Sequence, residues 1–516
     1  MLHRHDPPEG PVPATDAPAA VEVNRASAAR SAMWSLVENG GMALISFSAL
    51  IVYSRFLSVS DFGLFSIVLA IVELMGMLVA MLFHDALVQR PGITELHYDT
   101  AFTATLVLSG LLMGACFLIA PALAQRAGTP AAAAVLAWSS LSLPLAAVTA
   151  TIAARQRRQL EFRTLALRSL AGRTIGAAVG IALVVSGAAF WGLVAQHVLV
   201  VGIGSLILWI ASRQRPRLRF GWVEFRELLA FGSFAVGALF LGFSIKRAFI
   251  VLSGLLLGTH AAGLLNLSFR VVDTFWALVA TAVSQIALPI LAPLVGDDRR
   301  FKRVFRSASE FVCLVLFFCF VLIAATAPEI VEMLFGEQWL GAAPFVTVLA
   351  LQGLVQASVL LLPAVLTALG RPRDLLVPRA AELVFILGAI AVFGVPTVAW
   401  AIALWVAREF LGDLISVALL RRAAGLGVRA QFGSCVVPLA CAVAAFGAVW
   451  AARPALPPTW GPAPSLALLG TLGAVVYLGC ALAFNRRLLL DLVYFGRAAL
   501  ARRAVGAPPQ PKAGEA

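Results

Sequence analysis

Four charged residues lie in the middle of two apolar segments that follow one another between Leu228 and Pro293. The first segment contains Lys246 and Arg247, and the second contains Arg270 and Asp273. Each segment is long enough to cross a bilayer core, which takes about 20 apolar residues in a helix. A charge at the centre of such a helix costs about 2.5 to 3.5 kcal/mol on insertion scales, so charges there usually serve a function inside the membrane.

The turn between the two segments falls at 258–260 and gives the depth of the charges. Lys246 precedes the turn by 12 residues and Arg270 follows it by 10. At about 1.5 Å per residue both lie roughly 15 Å below the surface, in the middle of the bilayer. Arg270 and Asp273 are three residues apart on one helix face, and we expect them to pair. Lys246 and Arg247 are then the excess positive charge, at the depth where a transporter holds an anionic substrate group.

Other apolar segments also carry charges. Glu38 lies near the end of its segment, where a glutamate more often snorkels to the interface or pairs with another helix, whereas Glu73 lies near the middle of its own. Arg408 can approach only one of Glu409 and Asp413 well, which leaves the other acid protonatable or free for a cation. The candidates for substrate binding are Arg173, Lys246, Arg247, Arg270 and Arg408, and those for ion coupling or gating are Glu38, Glu73, Asp273 and Glu409.

Composition places the chain in the membrane. Of the 516 residues 61% are hydrophobic and 13% are charged, whereas soluble proteins contain about 25% charged residues. The apolar segments predict an all-α polytopic membrane protein with about 14 transmembrane helices. The predicted divisions are a disordered tail (1–30), a six-helix lobe (31–211), a basic linker (212–227), a second six-helix lobe (228–422), an extra helix pair (434–484) and a basic, Pro/Ala-rich tail (485–516).

The distribution of basic residues predicts the orientation. Of the 39 Lys and Arg residues, 30 fall in alternate connections and tails on one side, and 3 fall on the other side. The positive-inside rule places the richer side, with both termini, in the cytoplasm. The net charge of +13 is therefore an orientation signal, and no nucleic acid partner is needed to explain it. We expect a multi-pass protein of the bacterial cytoplasmic membrane, in contact with anionic lipids.

A weak internal repeat relates the two lobes. The stretch that begins at Asp61 aligns without gaps with the stretch that begins at Ala261, at an offset of 200 residues. Gly63 then matches Gly263, and Glu73 matches Asp273. The two stretches are six segments apart and have the same orientation, which predicts two halves related by an axis along the membrane normal.

The six cysteines do not indicate a metal site. All lie in apolar segments, without a CxxC pair and without accompanying histidines. We interpret them as packing residues, and we expect neither a metal nor a cofactor.

Several motifs from about residue 34 to 422 resemble the Wzx-type polysaccharide flippases of the multidrug/oligosaccharidyl-lipid/polysaccharide superfamily. They are RFLSVSDFGLFSIV from Arg55, DALVQRPGITELH from Asp85, QRRQLEFRTLA from Gln156, RPRLRFGWVEFRELLAFG from Arg215, LLLGTHAAGLLNLSFRV from Leu255, LFGEQWLGAAP from Leu334 and LTALGRPRDLL from Leu366. The resemblance implies twelve to fourteen helices in two V-shaped lobes. It also implies movement of an undecaprenyl-diphosphate-linked oligosaccharide to the outer leaflet by alternating access, with a polysaccharide polymerase and export machinery as further partners.

One position departs from that family. Where its members often have an acidic residue in segment seven, this chain has Phe249, with Lys246 and Arg247 just upstream. Cation coupling at this position is therefore not expected, and the cavity becomes more positive. Arg270 matches an arginine of the family.

Two other functions stay open at this stage. A drug or metabolite antiporter of the same superfamily would favour an acidic cavity for cationic substrates. A membrane polymerase or glycosyltransferase would need a catalytic surface outside the bilayer, and the external connections are short. We therefore expect a transporter rather than an enzyme.

Overall fold

The computed structural model describes residues 25–212, 214–457 and 459–504, and all regular elements in these ranges are helices. The α-helices are α1 (Arg25–Phe56), α2 (Val59–Met81), α3 (His84–Gln89), α4 (Glu95–Ala127), α5 (Ala131–Ser140), α6 (Ser142–Arg158), α7 (Phe162–Leu183), α8 (Trp191–Ala211), α9 (Trp222–Leu257), α10 (Thr259–Leu291), α11 (Asp298–Ala325), α12 (Ala327–Phe335), α13 (Ala343–Val359), α14 (Leu362–Ala368), α15 (Leu376–Phe393), α16 (Val398–Ala424), α17 (Val428–Phe432), α18 (Val436–Ala452) and α19 (Pro462–Ala504). A π-helical turn, Val184–Ala188, extends α7, and short 3-10 turns extend or precede several other helices.

The prediction of an all-helical, polytopic membrane protein is confirmed. In the described ranges, 11 helical stretches are long and apolar enough to cross a membrane. Three further predicted segments fall on α1, α10 and α16, which are 32, 33 and 27 residues long but are not among the 11. The number of 14 spans therefore stays a prediction, as do the domain boundaries.

Two predicted segments are broken helices. The segment at 132–152 divides at Leu141 into α5 and α6. The segment at 341–368 divides into α13 and α14, where Pro363 stands in the first turn of α14 and supplies no backbone N–H to continue the preceding helix. At the end of the chain, α19 continues to Ala504, well past the predicted end at 484. The predicted N-terminal tail lies mostly outside the described residues.

The two lobes meet where α2 crosses α10, at Gly63 and Gly263. A Cβ atom on Gly63 would collide with the carbonyl oxygen of Thr259, and a Cβ atom on Gly263 would collide with that of Val59. These two contacts are related by the 200-residue offset of the repeat, so the crossing has the symmetry that the sequence predicts. Small residues allow the two backbones to approach this closely.

A second contact joins the lobes at the end that the sequence predicts to be external. Arg55, in the last turn of α1, donates hydrogen bonds to the carbonyl oxygens of Met333 and Leu334 near the end of α12. Trp339 Nε1 donates to the carbonyl oxygen of Ser54 at 2.9 Å. The free carbonyls at a helix end attract cations, so Arg55 of the first lobe binds the end of α12 in the second lobe.

Helix α9 bridges the lobes along its length. Near its start Glu227 forms an ion pair with Arg90 at 2.7 Å and accepts a hydrogen bond from His97 Nε2 at 3.1 Å. Arg90 and His97 lower the pKa of Glu227, which keeps the carboxylate ionised at neutral pH. Farther along, α9 packs against α2 of the first lobe and against α15 of the second. The charged residues in its middle therefore lie between the two halves.

The crossing of α2 and α10 predicts a large effect for a single methyl group. We expect Gly63→Ala to lower the midpoint of thermal unfolding in detergent, because overpacking against a backbone carbonyl costs about 1 to 3 kcal/mol. The control is Gly114→Ala on α4, where a Cβ meets no atom within 4 Å. Replacing glycine by alanine in a helix is favourable by up to about 1 kcal/mol, so the control midpoint should stay level or rise. A Gly63→Ala midpoint equal to that of Gly114→Ala would contradict the close crossing.

Candidate substrate cavity

A cavity of about 210 Å³ lies between α1, α2, α7, α8 and α10. The first four helices belong to the first lobe and α10 belongs to the second, so both lobes contribute to it. Its wall contains aromatic and aliphatic residues on one hand and nine polar or charged residues on the other. The polar and charged lining residues are Ser46, Tyr53, Ser66, Glu73, Arg173, Gln196, His197, Asn266 and Arg270.

Two arginines give the cavity its charge. Arg173 projects from α7 and Arg270 from α10, and in the described part of the chain neither has a carboxylate within ion-pair distance. The buried Nε of Arg173 also has no hydrogen-bond partner there. Guanidinium groups present a rigid fork of donors that matches phosphate and carboxylate oxygens. The arrangement therefore favours an anion between the lobes.

The other two cations at this depth are paired with acids. Lys246 forms an ion pair and a hydrogen bond with Asp273. Arg247 and Glu73 form an ion pair, in which the Nη2 atom of Arg247 lies 2.5 Å from the Oε2 atom of Glu73. The geometry of this pair is not that of a hydrogen bond. Lys246 and Arg247 are thus neutralised.

The predicted pairing of Arg270 with Asp273 is wrong. Residues three apart on a helix differ in direction by about 60°, and here Arg270 lines the cavity while Asp273 contacts Lys246 of α9. The excess positive charge therefore belongs to Arg173 and Arg270, not to Lys246 and Arg247 as the sequence suggested.

Arg408 lies outside the lining of this cavity, in a buried cluster of the second lobe. It is 3% exposed and donates to Glu382 at 2.5 Å and to the neighbouring Glu409. Its guanidinium carbon lies 3.9 Å from the centre of the Trp405 ring, and Gln356 donates to Glu409 at 2.6 Å. Arg408 and Glu409 thus bond to neighbouring side chains of the second lobe. This corrects the expectation that Arg408 faces the substrate.

A third acid of the buried cluster around Arg408, after Glu382 and Glu409, is Asp413, one turn after Glu409 on α16. Its Oδ2 atom is buried and has no hydrogen-bond partner among the described residues. Arg408 reaches Glu409 and not Asp413, as the spacing on α16 suggested. The sequence reasoning missed Glu382, although a carboxylate within the apolar run of α15 was the same kind of signal as Glu73.

Glu38 does not join the cavity. Its Oε1 atom accepts a hydrogen bond from the hydroxyl of Ser169 at 2.7 Å, where α1 packs against α7. His197 does line the cavity, and its Nε2 atom lies 3.0 Å from the hydroxyl of Ser142. Tyr53 and Asn266 are further polar lining residues. A search for charges alone gave no signal for these uncharged groups.

The described residues contain no group of three or more His, Cys, Asp or Glu side chains arranged to hold a metal ion.

A family model described as "Polysaccharide biosynthesis protein" matches residues 52–344. The chain belongs to this family. The matched part contains α2 and α7 to α10, and with them both cavity arginines and the ion pairs of α9.

Two curated relatives have names that describe polysaccharide pathways. The chain is 26% identical over 332 residues to "Succinoglycan biosynthesis transport protein ExoT" of Rhizobium meliloti (strain 1021), which covers 64% of this chain and 67% of that protein. It is 25% identical over 381 residues to "Teichuronic acid biosynthesis protein TuaB" of Bacillus subtilis (strain 168), with 71% and 77% covered.

Among solved structures, the chain resembles the lipid II flippase MurJ in its inward closed conformation. The TM-score is 0.69 at 11% identity, and the match covers 89% of this chain and 99% of MurJ. At this identity the likeness shows the fold alone. It agrees with the all-helical, polytopic fold that the sequence predicts.

The buried cluster around Arg408 predicts a structural role for that residue. We expect Arg408→Met to lower the midpoint of thermal unfolding strongly, because removing one partner of a buried ion pair costs about 3 to 5 kcal/mol. Replacing Glu382 and Glu409 by Gln in the same protein should recover most of the loss, since the two acids that Arg408 neutralised are then uncharged.

Arg379→Met is the matched control for that experiment. Arg379 also contacts Glu382, at 2.9 Å, but its side chain is 49% exposed. Its replacement should cost little, as for exposed pairs. If Arg408→Met unfolds at the same temperature as the wild-type protein, the structural role is contradicted. Arg408 then returns to the list of substrate-binding candidates.

Proposed function

We propose that this protein is a flippase for an undecaprenyl-diphosphate-linked oligosaccharide in the biosynthesis of an exopolysaccharide, an O-antigen or a capsule. It moves this lipid from the cytoplasmic leaflet to the outer leaflet. The observation that carries the proposal is the cavity between the lobes, in which Arg173 and Arg270 have no acidic partner among the described residues. Family membership and the names of the relatives support it.

The chemistry of the cavity suits the diphosphate. A lipid diphosphate carries about two negative charges, and moving an ion through hydrocarbon has a Born cost of the order of 20 kcal/mol. Two guanidinium groups already held in the cavity replace part of the hydration that the diphosphate loses. The prenyl tail stays in the lipid during the movement, because only the polar part of the substrate needs the cavity.

The way the lobes are joined supports alternating access. The contact of Arg55 and Trp339 closes the end that is predicted to be external, so the cavity in this state serves the cytoplasmic side. Direction requires different affinities in the two states, from a coupled ion or from removal of the product outside. Glu73, which lines the cavity, and Asp413, whose carboxylate is unpartnered in the described part of the chain, are the acids we favour for coupling.

The rival functions fit the cavity less well. An antiporter for cationic substrates needs an acidic cavity, whereas Glu73 is the one acid among the described lining residues and is paired with Arg247. A polymerase or glycosyltransferase needs a catalytic surface outside the bilayer, and the connections between the helices are short. These features favour a transporter over an enzyme.

Transport in proteoliposomes tests the role of the two arginines. We expect Arg173→Gln and Arg270→Gln each to slow flipping of a fluorescent undecaprenyl-diphosphate oligosaccharide at least tenfold, because each removes a charge-assisted contact of about 1.5 to 3 kcal/mol. The control is Arg163→Gln, an exposed arginine on the same helix as Arg173, which should transport at the wild-type rate.

The two kinds of failure have different meanings. Transport that survives both cavity changes would keep the flippase and discard this diphosphate site. A wild-type protein that moves no such lipid, at matched levels of folded protein, would refute the flippase itself and favour the antiporter.

The proposed orientation has its own test. With both termini in the cytoplasm of a bacterium, a fluorescent protein that folds only in the cytoplasm should fluoresce when fused to either end. Alkaline phosphatase inserted at Gly128, between α4 and α5, should be active, because this connection is predicted to be external. The opposite pattern would invert the topology and place the Arg55 contact on the cytoplasmic side.

A further inference from the structure

A second, polar pocket of about 560 Å³ lies where α6 and α8 end, on the side that is predicted to be cytoplasmic. Its lining includes three glutamines, a glutamate and an arginine: Gln156, Gln159, Gln214, Glu161 and Arg155. This pocket is larger than the cavity between the lobes, and the mechanism proposed above does not use it.

The arginine of this pocket is already neutralised. Arg155 is 8% exposed, donates to Glu95 Oε2 at 2.6 Å and stacks over the Tyr98 ring with its guanidinium carbon 4.0 Å from the ring centre. With Glu161 as a further acid, the side chains that line the pocket offer no excess positive charge. An anion such as a phosphate headgroup is therefore not the ligand that this pocket favours.

The pocket offers uncharged hydrogen-bonding groups instead. Arg155 also donates to Gln214, and because a guanidinium has no acceptor, the atom that faces it is Oε1. The Nε2 donors of Gln214 are thus left over. Gln156 is 5% exposed, and its Oε1 atom accepts no hydrogen bond from a described residue. The pocket therefore offers both hydrogen-bond donors, on Gln214, and a hydrogen-bond acceptor, on Gln156.

A strained turn presents the remaining polar groups. Leu160 has φ = 60°, and hydrogen bonds run from Leu160 N to Arg157 O at 3.1 Å and from Glu161 N to Gln156 O at 2.9 Å. This is a Schellman end of α6 with leucine at the position where glycine is usual. The exposed side chains of Gln159 and Glu161 flank the leucine. A leucine kept in the left-handed region at a cost points to a function for this turn.

We propose that this pocket binds the glycan of the lipid-linked substrate. Carboxylate and amide groups with mixed donors and acceptors match sugar hydroxyls, each of which both donates and accepts. Helix α8 connects the two sites, since Val201 lines the cavity and Ala211 lines the pocket. Ten residues of helix span about 15 Å, a distance that a short oligosaccharide can cover. The inference thus rests on the proposed function.

Two lipids that differ only in the glycan test this inference. The probes are sugar-free undecaprenyl diphosphate and the undecaprenyl-diphosphate oligosaccharide extracted from the cells that make this protein, and the measurement is Kd for the full chain in nanodiscs. We expect Gln159→Ala/Glu161→Ala to weaken binding of the glycan lipid about tenfold, as for loss of one or two hydrogen bonds. Binding of the sugar-free lipid should not change.

Controls separate this pocket from the arginine site and from misfolding. Gln159 and Glu161 are exposed, so the double variant should fold, and Gln156→Leu provides a second change of nearly the same volume. Gln125→Ala alters an exposed glutamine at the other end of the bundle and should have no effect. Arg173→Gln should weaken both lipids.

Each remaining outcome overturns the inference. Equal Kd values for wild type and both pocket variants with the glycan lipid would show that the pocket does not bind the glycan. Equal weakening of both lipids would assign the pocket to the diphosphate or to a lipid headgroup. A wild-type protein that binds neither lipid would refute the proposed function first, and the glycan site with it.

Discussion

The cost of a charge in hydrocarbon governs the membrane part of this protein. Lys246, Arg247 and Arg408 each contact a carboxylate on another helix: Asp273 on α10, Glu73 on α2 and Glu382 on α15. Because a lone charge at this depth is so unfavourable, each pair also fixes how two helices pack. Arg173 and Arg270, which lack such a partner among the described residues, need the polar cavity that they line. The pattern of pairing thus separates structural cations from those available to a ligand.

The two ion pairs of α9 have different consequences for alternating access. Lys246 pairs with Asp273 inside the second lobe, whereas Arg247 pairs with Glu73 of the first lobe. The two acids occupy equivalent positions of the repeat, so α9 lies between matching sites of the halves. A movement that separates α9 from α2 breaks only the second pair. Water or the anionic substrate must then replace Glu73, which links occupancy of the cavity to the position of the lobes.

The sequence predicted those features that can be read from each apolar segment separately. Apolar length predicted the helices, the basic residues predicted an orientation, and Gly63 with Gly263 revealed the repeat before the crossing was visible. Pairing was not predictable in this way, because it depends on the rotation of neighbouring helices. Arg270 and Asp273 share a helix, yet the small angle between them directs one to the cavity and the other to α9. Glu382 stood in an apolar run like Glu73, but its pairing with Arg408 of α16 depends on how α15 and α16 pack.

The size of the cavity limits what it recognises. Ligand pockets usually have about 300 to 1,000 Å³, and the space between the lobes has about 210 Å³. It accommodates a diphosphate but not the whole polar part of a lipid-linked oligosaccharide. A cavity that recognises only the diphosphate would accept any polyprenyl diphosphate, with or without a glycan. Rejecting the lipid without a glycan requires contacts to the glycan at a distance from the arginines. The polar pocket at the end of α6 and α8 has the room and the hydrogen-bonding groups to make them.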